Sequence, residues 1–146
     1  FKMPLLKFTG MTACNSYFCA WFALLANETE ESYQWALSQY LTIFDDLPYT
    51  HEVIVTDNDD ALIASIASNL PDTKHLLCRR HINKSIIAIA KRILSSSNIS
   101  ERFMSEWSSL IHIDDPSTFE TEWARMEEYY ESELINYINR EYMPKK

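Results

Sequence analysis

Two short apolar segments of the chain each end on a side chain that can do chemistry. The β-branched run at residues 53–55 leads to the carboxylate of Asp57. A second apolar segment, one predicted helix later, leads to Cys78 and then to His81. The carboxyl ends of strands form the rim of an open α/β sheet, where such folds bind their ligands. We therefore expect Asp57, Cys78 and His81 to belong to one shared site.

The Cys-x-x-His spacing of Cys78 and His81 is also a pattern that zinc sites use. Structural zinc almost always takes four protein ligands. The residues that could complete the set have no paired ligand spacing; they are Cys14, Cys19, His75 and His112. We therefore expect no zinc. The simplest alternative is a buried cysteine at a strand end and a histidine that opens a helix.

The elements before this site read as a hairpin and a helix. Residues 4–9 and the aromatic-rich segment 16–25 predict two antiparallel strands, joined by a polar turn near residues 12–15. A helix then opens at residues 27–31, where acids suit the positive end of the helix dipole. Its apolar positions repeat at helical spacing and predict a buried stripe: Tyr33, Leu37, Tyr40, Leu41 and Phe44, broadened by Trp35 and Ala36.

The middle of the chain predicts a strand–helix–strand unit. Residues 45–50 read as a loop, and the unbroken run at 53–55 predicts a strand that is buried on both faces and central in its sheet. Residues 58–60 cap the next helix, which leads to a strand at Leu76–Leu77. The order of these elements predicts an α/β fold.

Helices alone are predicted in the rest of the chain. Residues 82–94 are helical by periodicity, and no strand signal remains after residue 95. Three further helices follow from apolar residues at helical spacing: Phe103, Trp107 and Leu110; Phe119, Trp123, Met126 and Tyr130; Leu134, Tyr137 and Ile138.

Composition sets the limits of this interpretation. A chain of 146 residues with 47% hydrophobic and 13% aromatic residues can bury the core of one domain. The single glycine, Gly10, excludes glycine-rich phosphate loops. Three cysteines without framework spacing favour a reducing intracellular compartment. Neither a membrane-spanning run nor a signal peptide is visible, so we expect no membrane association.

The net charge of −8 is unevenly distributed along the chain. Residues 1–98 carry 8 Lys or Arg and 10 Asp or Glu, whereas residues 99–146 carry 5 and 11. Residues 79–92 hold five basic side chains and no acidic one. This basic run is either a solvated helix face or a patch that contacts phosphates.

Four motifs together resemble the transposase domain of Mutator-like elements (MULE). They are Pro-Leu-Leu-x-Phe-Thr-Gly-Met-Thr at residues 4–12, Glu-Glu-Ser-Tyr-x-Trp-Ala at 30–36, Val-Ile-Val-Thr-Asp at 53–57 and Leu-Leu-Cys-Arg-Arg-His-Ile-Asn-Lys at 76–84. The resemblance covers about residues 1–94 in collinear order.

The resemblance implies a ribonuclease H-like core, built from an antiparallel hairpin and parallel strands flanked by helices. It also implies an Asp-Asp-Glu triad that binds metal, with an all-helical insertion before the last acid. On this basis residues 1–94 are the partial core and residues 95–146 the insertion. Asp57 matches the second aspartate of the triad, and Cys78 and His81 match the Cys-x-x-His signature. The first aspartate and the last glutamate fall outside the chain, so we expect a fragment truncated at both ends.

The same resemblance implies the cofactors and partners. The complete domain would bind Mg²⁺ or Mn²⁺ and act on DNA, namely transposon ends and target, as a nuclear homo-oligomer. The function expected is that of a fragment of a DDE-type transposase catalytic domain, inactive alone. The alternative is a domesticated, non-catalytic DNA-binding or transcription-regulatory protein, since plant regulators of the far-red-impaired-response type share this domain.

Roles for the individual residues follow from the chemistry of that family. Without the resemblance, Asp57 would read as a helix cap or strand-end acid; with it, Asp57 is a metal ligand and a catalytic residue. His81 is expected as a catalytic hydrogen-bond donor near the scissile phosphate, while the role of Cys78 is left open. DNA contacts are expected from the neighbouring basic side chains, which are Arg79, Arg80 and Lys84. Asp59 is either a helix cap or a second acid near the metal.

Overall fold

A computed structural model describes residues 2–44, 51–94 and 96–143. These residues form an α/β chain with six α-helices and two two-stranded sheets. The predicted loop at residues 45–50 lies outside the described residues. The strands are β1 Leu5–Met11, β2 Tyr17–Leu24, β3 Val53–Thr56 and β4 Lys74–Leu77; the helices are α1 Glu30–Leu41, α2 Asp60–Asn69, α3 Arg79–Ile93, α4 Ser97–Leu110, α5 Pro116–Tyr129 and α6 Ser132–Glu141, and a 3-10 turn, Thr42–Phe44, follows α1.

The first sheet is the predicted hairpin. Strands β1 and β2 pair antiparallel, from Leu5 opposite Leu24 to Met11 opposite Tyr17. Asn15 adopts a left-handed backbone with φ 57° in the connecting turn, a conformation that asparagine tolerates better than most residues. The hairpin prediction is therefore confirmed.

One face of the hairpin packs on α1. The ring of Phe8 stacks on Tyr40 with centroids 4.1 Å apart, and Trp21 approaches the same tyrosine at 5.9 Å. The opposite face of the hairpin exposes large apolar side chains among the described residues: Leu5, Met11, Tyr17, Phe22 and Leu24.

Helix α1 begins within residues 27–31, the segment that the acidic first turn predicts. The Thr29 side chain accepts a hydrogen bond from the Ser32 backbone N–H and caps the helix. Tyr33, Ala36, Leu37 and Tyr40 are buried, as the periodicity predicts. Trp35 is 54% exposed, so its prediction as part of the buried stripe is wrong. The reason is geometric, because each residue turns the helix by about 100° and Trp35 lies about 200° from Tyr33.

The second sheet pairs β3 and β4 in parallel, with α2 between them in sequence. Val53 and Val55 are 50% and 57% exposed, whereas Ile54 packs against the core. The prediction of a central strand buried on both faces is therefore wrong for the described residues, in which β3 pairs with β4 alone. The run of β-branched residues alternates between a covered face and an open one, as in a half-buried strand.

Helix α2 is fixed to α1 by a buried hydroxyl as well as by apolar packing. Ser65 is fully buried, and its Oγ lies 2.8 Å from the Ala61 carbonyl oxygen and 3.1 Å from that of Glu30. Leu62 and Ile66 of α2 share a buried cluster with Ala36 and Leu37 of α1. This pairing packs α2 against α1, with the middle of α2 at the first residue of α1.

The chain forms two compact units, Phe1–Cys78 and Arg79–Lys146. Helix α3 belongs to the second unit, since Ile86 and Ala90 lie in its buried cluster with residues of α4, α5 and α6. The described residues after 95 contain helices and no strand, as predicted. The division into core and insertion at residues 94/95 stays a prediction. No helix within 2–44, 51–94 or 96–143 combines the length and the apolar character that crossing a bilayer would need.

Candidate functional site

The parallel pairing of β3 and β4 brings two of the predicted site residues to one edge of the sheet. Asp57 directly follows β3, and Cys78 directly follows β4. The ladder continues one step beyond the strands, because the Cys78 backbone N–H donates to the Thr56 carbonyl oxygen at 2.6 Å. Asp57 is exposed and Cys78 is half-buried at this edge. A ligand at the strand ends therefore has direct access to the Asp57 carboxylate.

The peptide that leads into Asp57 is held by a cross-strand contact. The Thr56 hydroxyl donates to the Asp57 carbonyl oxygen at 2.7 Å, and its oxygen lies 2.8 Å from His75 Nε2. His75 is on β4, in register with Ile54. The sequence offers His75 only as a possible zinc ligand, whereas the structure gives it a positioning contact beside Asp57.

Asp59 caps helix α2. Its Oδ1 accepts a hydrogen bond from the Leu62 backbone N–H at 2.8 Å, and its own backbone is extended, as N-cap residues are. Of the two roles predicted for Asp59, helix capping is the one that the structure shows. One carboxylate oxygen is therefore committed to the helix.

Several negative charges lie near this edge of the sheet and raise the pKa of a buried tyrosine. Tyr33 of α1 is 5% exposed. The pKa of the Tyr33 hydroxyl is raised to about 12, first by burial and then by the negative charges of Asp59, Glu28 and Asp57, in that order. The sequence predicts Tyr33 as a core residue and Glu28 as an acid at the start of the helix, without linking the two. Only the packing of α1 on α2 brings these groups together.

The residues at this edge offer the type of ligand that a hard cation prefers, but too few such ligands. Carboxylate oxygens are the ligands that Mg²⁺ prefers, but catalysis with two metal ions needs several of them converging. Across the described parts of the chain, no group of three or more His, Cys, Asp or Glu side chains is arranged to hold a metal ion. Cys14, Cys19 and Cys78 are free thiols. The described residues alone therefore do not supply the set of carboxylates that two-metal catalysis needs.

The other predicted site residues lie in the first turns of α3. Arg80, His81 and Lys84 are exposed. Arg79 approaches His112 Nε2 at 3.4 Å, and His112 Nδ1 lies 2.6 Å from the Ser108 carbonyl oxygen. A carbonyl oxygen only accepts, so His112 carries its proton on Nδ1 and accepts from Arg79 through Nε2. The shared site of Asp57 and His81 stays a prediction.

Comparison with known families and proteins is consistent with these observations. Residues 1–85 match the family model of the MULE transposase domain. The chain therefore belongs to the MULE transposase domain family, and the resemblance found in its motifs is confirmed. It is a transposase-derived protein.

The similar curated proteins are all from Arabidopsis thaliana. Protein FAR1-RELATED SEQUENCE 6 is 28% identical over 139 residues, which cover 86% of this chain and 19% of that protein. Protein FAR1-RELATED SEQUENCE 4 is 30% identical over 82 residues, with 56% and 11% covered. Protein FAR-RED IMPAIRED RESPONSE 1 is 28% identical over 85 residues, with 58% and 10% covered. The chain thus spans at most 19% of the length of these relatives. No solved structure matches the chain significantly.

Proposed function

We propose that this chain carries part of the catalytic domain of a DDE-type DNA transposase. The observation that carries the proposal is Asp57, an exposed carboxylate at the carboxyl end of a parallel strand, inside the segment that matches the MULE transposase domain. Ligands of open α/β sheets bind at this end of the strands. The negative charges that raise the pKa of Tyr33, which include that of Asp57, would also attract cations to this site.

A ribonuclease H-like core is the fold that we propose for the first unit. Its support is the order of elements, in which an antiparallel hairpin precedes a helix and a parallel β3–α2–β4 segment. The helices α4, α5 and α6 would then belong to the all-helical insertion of the family.

Each predicted site residue has a role in this proposal. Asp57 would be one of several carboxylates that hold Mg²⁺ or Mn²⁺ in the complete domain, and the ion would supply positive charge for phosphodiester chemistry. His81 would donate a hydrogen bond to the scissile phosphate, and Cys78 would support this segment at the end of β4. The cations of Arg79, Arg80 and Lys84 would contact the DNA backbone, where guanidinium and ammonium groups neutralise phosphates.

The same proposal covers the setting in which the domain works. Its partners would be transposon ends and target DNA, and the full-length protein would act as a homo-oligomer in the nucleus. The 146 residues hold one carboxylate that matches the catalytic triad, so we expect no strand cleavage from this chain alone.

A supercoiled plasmid tests this expectation. The purified chain is incubated with the plasmid in Mg²⁺ or in Mn²⁺, and nicked and linear forms are separated by electrophoresis. We expect no cleavage above that of the Asp57→Asn variant, which is the matched control. Metal-dependent cleavage that survives Asp57→Asn would refute the assignment of Asp57.

A second candidate function is a domesticated DNA-binding or transcription-regulatory protein without catalysis. The similarity to FAR1-RELATED SEQUENCE 6, which extends beyond residues 1–85 over 86% of the chain, fits this candidate. The two candidates differ in what they require of Asp57. A regulatory domain would bind DNA without any divalent ion at Asp57, whereas a catalytic domain requires that ion.

A further inference from the structure

Three cationic side chains of α3 form one line along the exposed side of the helix. Arg80, Lys84 and Lys91 are all exposed. A rotation of about 100° per residue places Lys84 and Lys91 within about 40° of Arg80 around the helix axis. The rise of 1.5 Å per residue spreads the three over about 16 Å. We call these three residues the basic stripe.

No ion pair neutralises the charges of the basic stripe within residues 79–94 and 96–143. Helix α3 contains no acidic residue. The described residues form five ion pairs, and an arginine supplies the cation in each. None of these arginines is a member of the stripe. The neighbouring cations are engaged elsewhere, because Arg92 lies 3.8 Å from Glu133 and Arg79 approaches His112.

The opposite side of α3 anchors the helix firmly in its unit. Ile86 and Ala90 have no exposed surface. The indole N–H of Trp107 on α4 donates to Asn83 Oδ1 at 2.9 Å, which fixes the rotation of α3 about its axis. Because the helix is held on its inner side, the stripe presents its three charges at fixed spacing.

We propose that the basic stripe binds the phosphate backbone of duplex DNA, independently of base sequence. Charge complementarity identifies the partner, since a duplex offers one negative charge per about 1.7 Å of its axis. The inference rests on the proposed function in its choice of DNA. A duplex is preferred to a single strand because proteins that bind single strands add aromatic platforms for the bases. The exposed side of α3 carries no Phe, Tyr or Trp.

The basic stripe reaches further along the helix than the DNA contacts predicted from the sequence, and it includes a different set of residues. Lys91 joins Arg80 and Lys84, although it lies well beyond the Cys-x-x-His signature. Arg79 is not a member of the stripe, because it lies about 100° from Arg80 around the helix axis. The contact surface is therefore the length of α3, not its first turn.

The expected strength follows from counterion release. Each duplex phosphate contact contributes a slope of about −0.9 to a plot of log K against log salt concentration. Three contacts give a slope of about −2.7, so binding weakens about 40-fold between 50 and 200 mM salt. Losing Lys84 and Lys91 leaves a slope of about −0.9, and binding then weakens only about fourfold over the same range.

Fluorescence anisotropy with a labelled duplex measures these slopes. The test variant is Lys84→Gln/Lys91→Gln, in which glutamine keeps the helix propensity of lysine. The control is Lys7→Gln/Lys74→Gln, with both lysines exposed on strands of the other unit. Both double variants change the net charge from −8 to −10, so they share the same overall repulsion of DNA. Circular dichroism confirms that each variant is folded.

We expect the test variant to lose about 1.8 units of slope and the control to keep the slope of the wild-type chain. Equal slopes for the two variants, or tighter binding of a single strand than of the duplex, would overturn the proposal. So would loss of self-association in the test variant with unchanged DNA binding, because the stripe would then bind the acidic surface of a second copy. Metal binding at Asp57 is measured separately, so failure here leaves the test of the proposed function intact.

Discussion

Replacing Asp59 by alanine tests whether this acid serves the fold or a metal. Its Oδ1 accepts the Leu62 N–H at 2.8 Å, and alanine cannot make this hydrogen bond. Loss of an aspartate cap costs about 1 kcal/mol of stability, within a range of about 0.5–2. The cost falls on the unit that contains α2, because Leu62 and Ile66 form part of its buried cluster. A change of this size raises the population of the opened state about fivefold.

Amide hydrogen exchange followed by NMR reads this effect one helix at a time. We expect exchange in α2 and the adjoining turns of α1 to accelerate about fivefold in Asp59→Ala. Amides of α4, α5 and α6 should keep their rates, since they belong to the other compact unit. Two controls accompany the variant: Asp59→Ser, which restores a capping oxygen, and Asp57→Asn, which alters an exposed acid outside the cap.

The controls decide between the two roles of Asp59. Serine should return the exchange rates of α2 close to those of the wild-type chain, because a hydroxyl caps a helix as well as a carboxylate does. Exchange that is equally fast in the alanine and serine variants, or unchanged in both, would refute the capping argument. Asp59 would then be free to act as a ligand.

Two further predictions follow from shifted pKa values. Hydrogen bonds accepted at the start of α5 lower the pKa of Asp115 to about 2, so the stability it contributes is present above pH 4 and is lost as the pH falls through 2. Thermal unfolding at several pH values should show this loss in the wild-type chain and not in Asp115→Asn; identical pH profiles would contradict it. Removing the charge of Asp57 should lower the pKa of Tyr33 from about 12, as measured by NMR titration, whereas Asp60→Asn should leave it unchanged. A larger shift in the Asp60 variant would refute the charge cluster.

Local signals in the sequence predicted several elements correctly. Two apolar runs, the second rich in aromatic residues, joined by a polar turn predicted the hairpin, and the acidic first turn predicted the start of α1. The position of Asp57 at the end of a strand followed from the β-branched run before it. Each of these features depends on residues that are close in sequence, so one sequence is enough to predict it.

Features that depend on distant partners could not be predicted in the same way. A β-branched run shows that a strand forms, but not whether both of its faces are covered, and Val53 and Val55 proved exposed. The apolar side of α3 shows that the helix packs, but not that its partners are α4, α5 and α6. The influence of Asp57 on Tyr33 arises from tertiary packing, and no local pattern signals it. The sequence predicts the cap of α2 within residues 58–60 and leaves Asp59 a second role near a metal, whereas the fold assigns the cap to Asp59.

Binding of Mn²⁺ tests the central claim, that Asp57 is a metal-holding carboxylate of a transposase-derived domain. The ion broadens NMR signals of nearby nuclei, so a titration of the labelled 146-residue chain maps its position. We expect weak binding, with broadening centred on Asp57, because few carboxylates converge there and hard divalent ions need several oxygen ligands. The broadening should disappear in Asp57→Asn and persist in Asp60→Asn. Broadening that is unchanged in Asp57→Asn, or that is centred on the acids of α4, α5 and α6, would contradict the claim.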